Sequence, residues 1–166
     1  MLIPKLFPNL RNSPINKLTR SPYSFSLKTC LISTLKSAIQ PSSFFGGGWN
    51  SGKVTQFKPH AEYLSSRGMI TVLADYRVKT RHQSNLFDAV ADAKSAIRFL
   101  RQNSKKLNID KEKIVASGGS AGGHLAAAVA SVSGLNDPKD NLKVSAKPNA
   151  LVLFKPVFDN GPAGYS

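Results

Sequence analysis

The chain has 166 residues, 41% of them apolar, with one Cys and a net charge of +14. That length supports one domain with a real core, burying roughly 70% of its unfolded surface. Cys30 alone excludes an intramolecular disulfide and has no metal-site spacing, and no apolar run reaches the roughly 18 residues of a membrane span.

The charge is uneven. Residues 1–61 hold eight Lys/Arg and no acid, whereas the remaining residues mix both signs. The basic residues are scattered singly, apart from Lys105-Lys106. No helix-turn-helix, zinc-finger or RNA-recognition pattern accompanies them, so specific nucleic-acid binding is not expected.

Residues 1–43 are rich in Ser, Lys, Arg and Asn, with prolines at 4, 8, 14, 22 and 41 and no sustained period. An uninterrupted apolar signal core is absent. An Arg- and Ser-rich transit segment fits the composition, but the prolines break the amphipathic helix it needs. The favoured expectation is that 1–43 is a basic segment outside the fold and that the domain runs from 44 to 166. Pro41 argues against a central strand leading up to Phe44. Cytoplasmic localisation is the default, with a transit-like N-terminus as the alternative.

From Val54 to Ser66 the spacing of Phe57, Ala61 and Leu64 predicts a short helix, closed by Gly68. Met69–Ala74 is a continuous apolar run, as for a strand buried on both faces. Asp88 to Arg101 carries the clearest helical stripe, through Val90, Ala93, Ile97 and Leu100. Lys113–Ala116 predicts a strand and Leu125–Ala130 a helix. Gly134 to Pro148 reads as a polar loop, and Ala150–Phe154 as a last buried strand. This βαβαβ order predicts an α/β fold with a parallel sheet and right-handed crossovers. In such sheets a site forms beyond the carboxyl ends of the strands, the edge where Gly46–Gly48, Ser120 and Asp159 would fall.

Between the Lys113 strand and the Leu125 helix stands Ser117-Gly118-Gly119-Ser120-Ala121-Gly122-Gly123-His124. Strand, Gly-x-Ser-x-Gly, helix is the context of a nucleophile elbow. The serine stands clear of the sheet on a strained bend, and Gly118 and Gly122 remove the β-carbons that would block the tight crossing. The helix begins beside Ser120, directing free N–H groups and a positive dipole end toward negative charge arising there. The competing reading is a glycine-rich turn with an incidental serine.

Upstream lies Phe44-Phe45-Gly46-Gly47-Gly48-Trp49. Together with the elbow, with Ala74-Asp75-Tyr76-Arg77-Val78 and with Asp92 to Arg98, it resembles the α/β-hydrolase superfamily, in the hormone-sensitive-lipase-like and acetyl-esterase-like branch. The resemblance runs from about Phe44 to the last residue. It implies a partial α/β-hydrolase fold, a mostly parallel sheet with helices on both faces and its last strands missing, as in a truncated copy. It implies Ser120 as nucleophile, with the N–H groups of Gly47, Gly48 and Ala121 as oxyanion donors. Phe45 departs from the family loop, which has histidine there.

The family order is Ser, then an acid, then His. After Ser120 only His124 follows, one turn along the same helix, and it reads as structural. His60 and His82 precede the elbow, and Asp159 is a secondary candidate for the acid. The resemblance implies a carboxylic-ester hydrolase working through an acyl-enzyme, weak or inactive as this fragment. The alternative is a non-catalytic remnant acting as an interaction protein. A small ester is the implied substrate, an acetylated or feruloylated saccharide among the options. No metal or cofactor is implied, since the glycine patterns fit neither a P-loop nor a dinucleotide fingerprint. Oligomeric state stays open.

Overall fold

The computed structural model describes residues 26–29, 40–159 and 161. Its strands are β1 (Ser26–Thr29), β2 (Gln40–Phe44), β3 (Val72–Asp75), β4 (Ile114–Gly119) and β5 (Ala150–Phe154). A 3-10 turn at Val54–Phe57 leads into α1 (Lys58–Ser66). The other helices are α2 (Lys79–His82), α3 (Leu86–Gln102), α4 (Ser104–Leu107) and α5 (Ala121–Ser131).

The sheet order is β1-β3-β2-β4-β5. Strands β3, β2, β4 and β5 run parallel, and β1 pairs antiparallel with β3. The chain moves outward from β2 to β3, then back across β2 to β4. With right-handed crossovers this reversal puts α1 on one face and α3 on the other. The next step, β4 to β5, continues in the same direction, so α5 joins α3, and the two helices are in contact. This is the α/β-hydrolase arrangement in partial form.

Local chemistry accounts for the main elements. Asn85 and Asp88 form a reciprocal capping box at the start of α3, each side chain accepting the other's backbone N–H. The apolar stripe of α3 then buries Ala89, Val90, Ala93, Ile97 and Leu100 against the sheet. They share one core cluster with Phe44, Leu73, Ile114 and Leu125, all nearly inaccessible. Asp92 is fully buried on this helix and is neutralised by Arg77, whose Nε lies 2.9 Å from Asp92 Oδ2.

Two expectations need correction. The strand before the glycine loop is present, and the division expected at 43/44 runs through it. Gln40–Ser43 pair with β4, and Ser26–Thr29 pair with β3; the rest of 1–43 lies outside the described residues. Pro41 is tolerated because pairing with β3 starts at Ser42, so only β4 flanks the proline. The second correction concerns β5, expected to be buried. It is the sheet's edge, and Leu151, Val152 and Phe154 are 39%, 46% and 45% exposed. It is covered only in part among the described residues: α5 contacts it, Leu153 packs against the core, and Phe154 meets Phe57 and His60.

Candidate active site

Ser120 sits between the last residue of β4 and the first of α5, with φ 53° and ψ −121°. A non-glycine residue in this region carries about 1–3 kcal/mol of strain and persists only where its surroundings impose it. Here the two flanking glycines impose it. A β-carbon on Gly118 would lie 2.4 Å from the Gly122 carbonyl oxygen, and one on Gly122 would lie 2.1 Å from that of Phe44. The end of β4, the start of α5 and the end of β2 therefore cross at backbone contact distance. Main-chain bonds hold the bend: Ser120 N–H donates to Phe154 O at 3.0 Å, and Ser120 O accepts from His124 N–H at 3.0 Å and Val157 N–H at 3.3 Å. Ser120 Oγ makes no hydrogen bond among the described residues.

The glycine loop follows β2 and comes over the serine. A β-carbon placed on Gly46 would stand 3.3 Å from Ser120 Cβ. Gly47, Gly48 and Trp49 then take φ values of 134°, 60° and 57°, a run of left-handed residues that turns the chain sharply. Within the turn Gly47 O accepts from Asn50 and Ser51 N–H, both at 3.1 Å. The N–H groups of Gly47, Gly48 and Ala121, the donors expected from the sequence, have no protein acceptor among the described residues. The Gly46 N–H does have one: Gln56 Oε1, at 2.6 Å.

Phe45 anchors the start of the glycine loop through an aromatic contact. Its ring stacks on Tyr76 at 4.1 Å between centroids, and Tyr76 Oη donates to Phe45 O at 2.7 Å. Burial and the neighbouring Asp75 carboxylate raise the Tyr76 pKa, keeping the phenol protonated as a donor.

The histidines occupy three separate places. His124 lies on α5 with its ring edge-on to Trp49 at 5.1 Å, supporting the far end of the glycine loop. Its Nδ1 and the Trp49 Nε1 are buried without partners among the described residues, and burial lowers the His124 pKa. His82 ends α2, where Nδ1 accepts from Val78 N–H at 3.2 Å. His60 is exposed on α1 against Phe57 and Phe154. None is hydrogen-bonded to Ser120 Oγ. Asp159 follows β5, is exposed, and accepts from Gly161 N–H at 2.8 Å rather than from a histidine. Serine and glycine loop are thus brought together, while no acid or base among the described residues joins them.

Sequence reasoning missed Gln56, Trp49 and Lys94. Gln56 lies ten residues from Gly46, with only a generic polar side chain to mark it. Lys94, buried on α3, donates from Nζ to Val132 O at 2.7 Å and to Gly134 O. It caps the carboxyl end of α5, whose amino end faces Ser120. A groove of about 310 Å³ lies at that carboxyl end, lined by Lys94, Arg98 and Lys147 among others. It is a helix length away from the serine. Among the described residues no group of His, Cys, Asp or Glu could hold a metal ion, and no helix is long and apolar enough to cross a membrane.

Residues 43–160 match the family model described as BD-FAE. The chain is 35% identical over 106 residues to an arylesterase of Saccharolobus solfataricus, covering 63% of this chain and 34% of that protein. It is 38% identical over 74 residues to endo-1,4-beta-xylanase B of Butyrivibrio fibrisolvens, covering 42% of this chain and 11% of the other. Among solved structures, the apo form of Thermogutta terrifontis esterase 2 superposes with a TM-score of 0.80 at 43% identity, over 89% of this chain and 56% of that one. The chain thus spans about half the length of that esterase and about a third or less of these two curated relatives.

Proposed function

The chain belongs to the BD-FAE family of α/β-hydrolase esterases, and on that premise we propose that it supplies the nucleophile and oxyanion site of a carboxylic-ester hydrolase. The observation that carries this reading is the strained Ser120 at the junction of β4 and α5, with Gly46 packed against its β-carbon. Ser120 Oγ attacks the ester carbonyl and gives its proton to a general base. The negative oxygen of the tetrahedral intermediate is held by the N–H groups of Ala121, Gly47 and Gly48, each well-placed donor being worth roughly 3–4 kcal/mol in the transition state. The alcohol leaves with a proton, and water then releases the acyl group from Ser120. Asp159 is the candidate acid within this chain. The substrate is a small ester, with acetylated or feruloylated saccharides in view because one relative is a xylanase.

The test is hydrolysis of short-chain p-nitrophenyl esters. The chain alone is expected near background. Subtilisin, which runs the same chemistry on another fold, loses on the order of a million-fold in turnover when its histidine is removed, and no histidine here meets Ser120 Oγ. Joined to the carboxyl-terminal segment of a related esterase, bearing its Asp and His, the chain should hydrolyse these esters and lose that activity on Ser120→Ala. Activity that survives Ser120→Ala would overturn the reading. A second reading, a non-catalytic interaction protein, is favoured by the exposed apolar edge at β5. It predicts that the joined protein folds and stays inert.

A further inference from the structure

Gln56 is a residue no sequence pattern marks, and it touches the glycine loop at its entry. It lies in the 3-10 turn Val54–Phe57, whose flanking Val54 and Phe57 are buried in the core at 5% and 8% exposure. The turn is therefore held in place while Gln56 itself points out of the core. Its Oε1 accepts the Gly46 N–H at 2.6 Å and lies 3.6 Å from where a Gly46 β-carbon would stand. That same point is 3.3 Å from Ser120 Cβ, so the carboxamide borders the serine across Gly46. Among the described residues nothing accepts from Gln56 Nε2.

Of the loop amides, Gly46 is engaged, while Gly47 and Gly48 have no acceptor among the described residues. The loop that follows runs through three successive left-handed residues, and its far end is tied by Asn50 and Ser51 N–H to Gly47 O and by Lys79 N–H to Trp49 O. At its entry the Gly46 N–H is held by the Gln56 side chain. We propose that Gln56 is a positioning residue of the ester site: by occupying the Gly46 N–H it sets the Gly47 and Gly48 amides toward Ser120, and it keeps a neutral group at the rim where the oxyanion forms. This rests on the proposed ester-site reading. A carboxylate at position 56 would accept the same N–H but oppose negative charge beside it. The neutrality of glutamine is therefore part of the proposal, beyond its hydrogen bond.

The test uses the chain as it stands, with trifluoroacetate as an anionic probe whose charge is constant from about pH 4 to 8, since its acid is far stronger than a protein carboxyl. Amide NMR reads hydrogen exchange at Gly46 without probe, then probe-induced shifts at Gly47, Gly48 and Ala121. Gln56→Met should speed exchange at Gly46 and weaken the anion about fivefold, the worth of one neutral hydrogen bond. Gln56→Glu should keep Gly46 protected yet bind the anion more weakly than the parent chain at about pH 7, with the gap between the two closing as pH falls through the carboxyl range; protonation of His124, which backs the loop at Trp49, acts on both proteins alike and cancels in that difference. A purely structural role would move the first variant but not this pH profile. Unchanged Gly46 exchange in Gln56→Met, or anion affinity in Gln56→Glu equal to the parent chain's at every pH, overturns the proposal. A parent chain in which trifluoroacetate moves none of the three amides overturns the ester-site reading and the proposal with it. Exchange at Gly46 is read without the anion, so the two failures are told apart.

Discussion

Gly122 lies directly under the carbonyl of Phe44, so close that a β-carbon on Gly122 would sit 2.1 Å from that oxygen. This contact joins the elbow helix to β2 and seats the serine over the sheet. Gly122→Ala must therefore push α5 off β2, displacing backbone rather than a pliable side chain. It should destabilise the chain by about 3 kcal/mol, the upper part of the usual range for overpacking. Urea unfolding followed by circular dichroism checks this, and a cost below about 1 kcal/mol would show that the crossing is looser than described.

Ser120 holds a φ of 53°, a cost that glycine does not bear. Ser120→Gly should raise stability by about 1 kcal/mol through relief of that strain. It should also remove any ester hydrolysis gained by the joined protein. Equal denaturation midpoints for the two proteins would mean that the bend is unstrained.

Arg77 and Asp92 form an ion pair beside the sheet, with Asp92 at 0% exposure. Arg77 Nε bonds both carboxylate oxygens, and the Arg77 N–H donates to Oδ2 at 2.8 Å. The bond to Asp92 raises the Arg77 pKa, so the guanidinium stays charged. Asp92→Ala leaves the Arg77 backbone N–H without its acceptor and the guanidinium with only its longer contacts to Asp88, at a cost of about 3 kcal/mol, the low end for a broken buried pair because Arg77 is partly exposed and keeps Asp88. Thermal unfolding measures it. Asp92→Asn should recover part of the loss by keeping the backbone acceptor.

Burial depresses the His124 pKa below its ordinary 6.5. The unfolded chain therefore binds this proton more readily than the folded one. The contribution is fully present above pH 6.5 and is lost as pH falls toward the folded value. The melting temperature should drop between about pH 7 and pH 5, and His124→Phe should flatten that part of the profile. Because the ring backs Trp49, Trp49 fluorescence should shift over the same interval. A profile identical in the variant would place the acid sensitivity elsewhere.

The β5 edge carries Leu151, Val152 and Phe154 in the open. An unpaired apolar edge invites pairing with other chains. Val152→Lys should lower the association state seen by light scattering without changing the melting temperature by more than about 2 °C, as for a surface substitution. Unchanged association would show that β5 is not the sticky surface.

Some of this could be read from the chain alone because the physics is local. The Gly-x-Ser-x-Gly bend and the α3 stripe from Val90 to Leu100 each depend on residues within a few turns of one another. Hence the elbow, the parallel run of β3, β4 and β5 and the glycine loop were all legible. Other features depend on distant neighbours. Pro41 stands in a sheet strand because β3 begins one residue later along it. β5 is apolar yet exposed because what covers a strand is decided by the rest of the sheet, and no residue within β5 reports it. Gln56 becomes a partner of the glycine loop only when the 3-10 turn is packed by Val54 and Phe57. His124, four residues after Ser120, is carried by helical geometry to Trp49 and not to the hydroxyl. The serine was written in the sequence; which groups surround it was decided by packing, because hydrogen bonds and burial are settled between segments that sequence spacing does not relate.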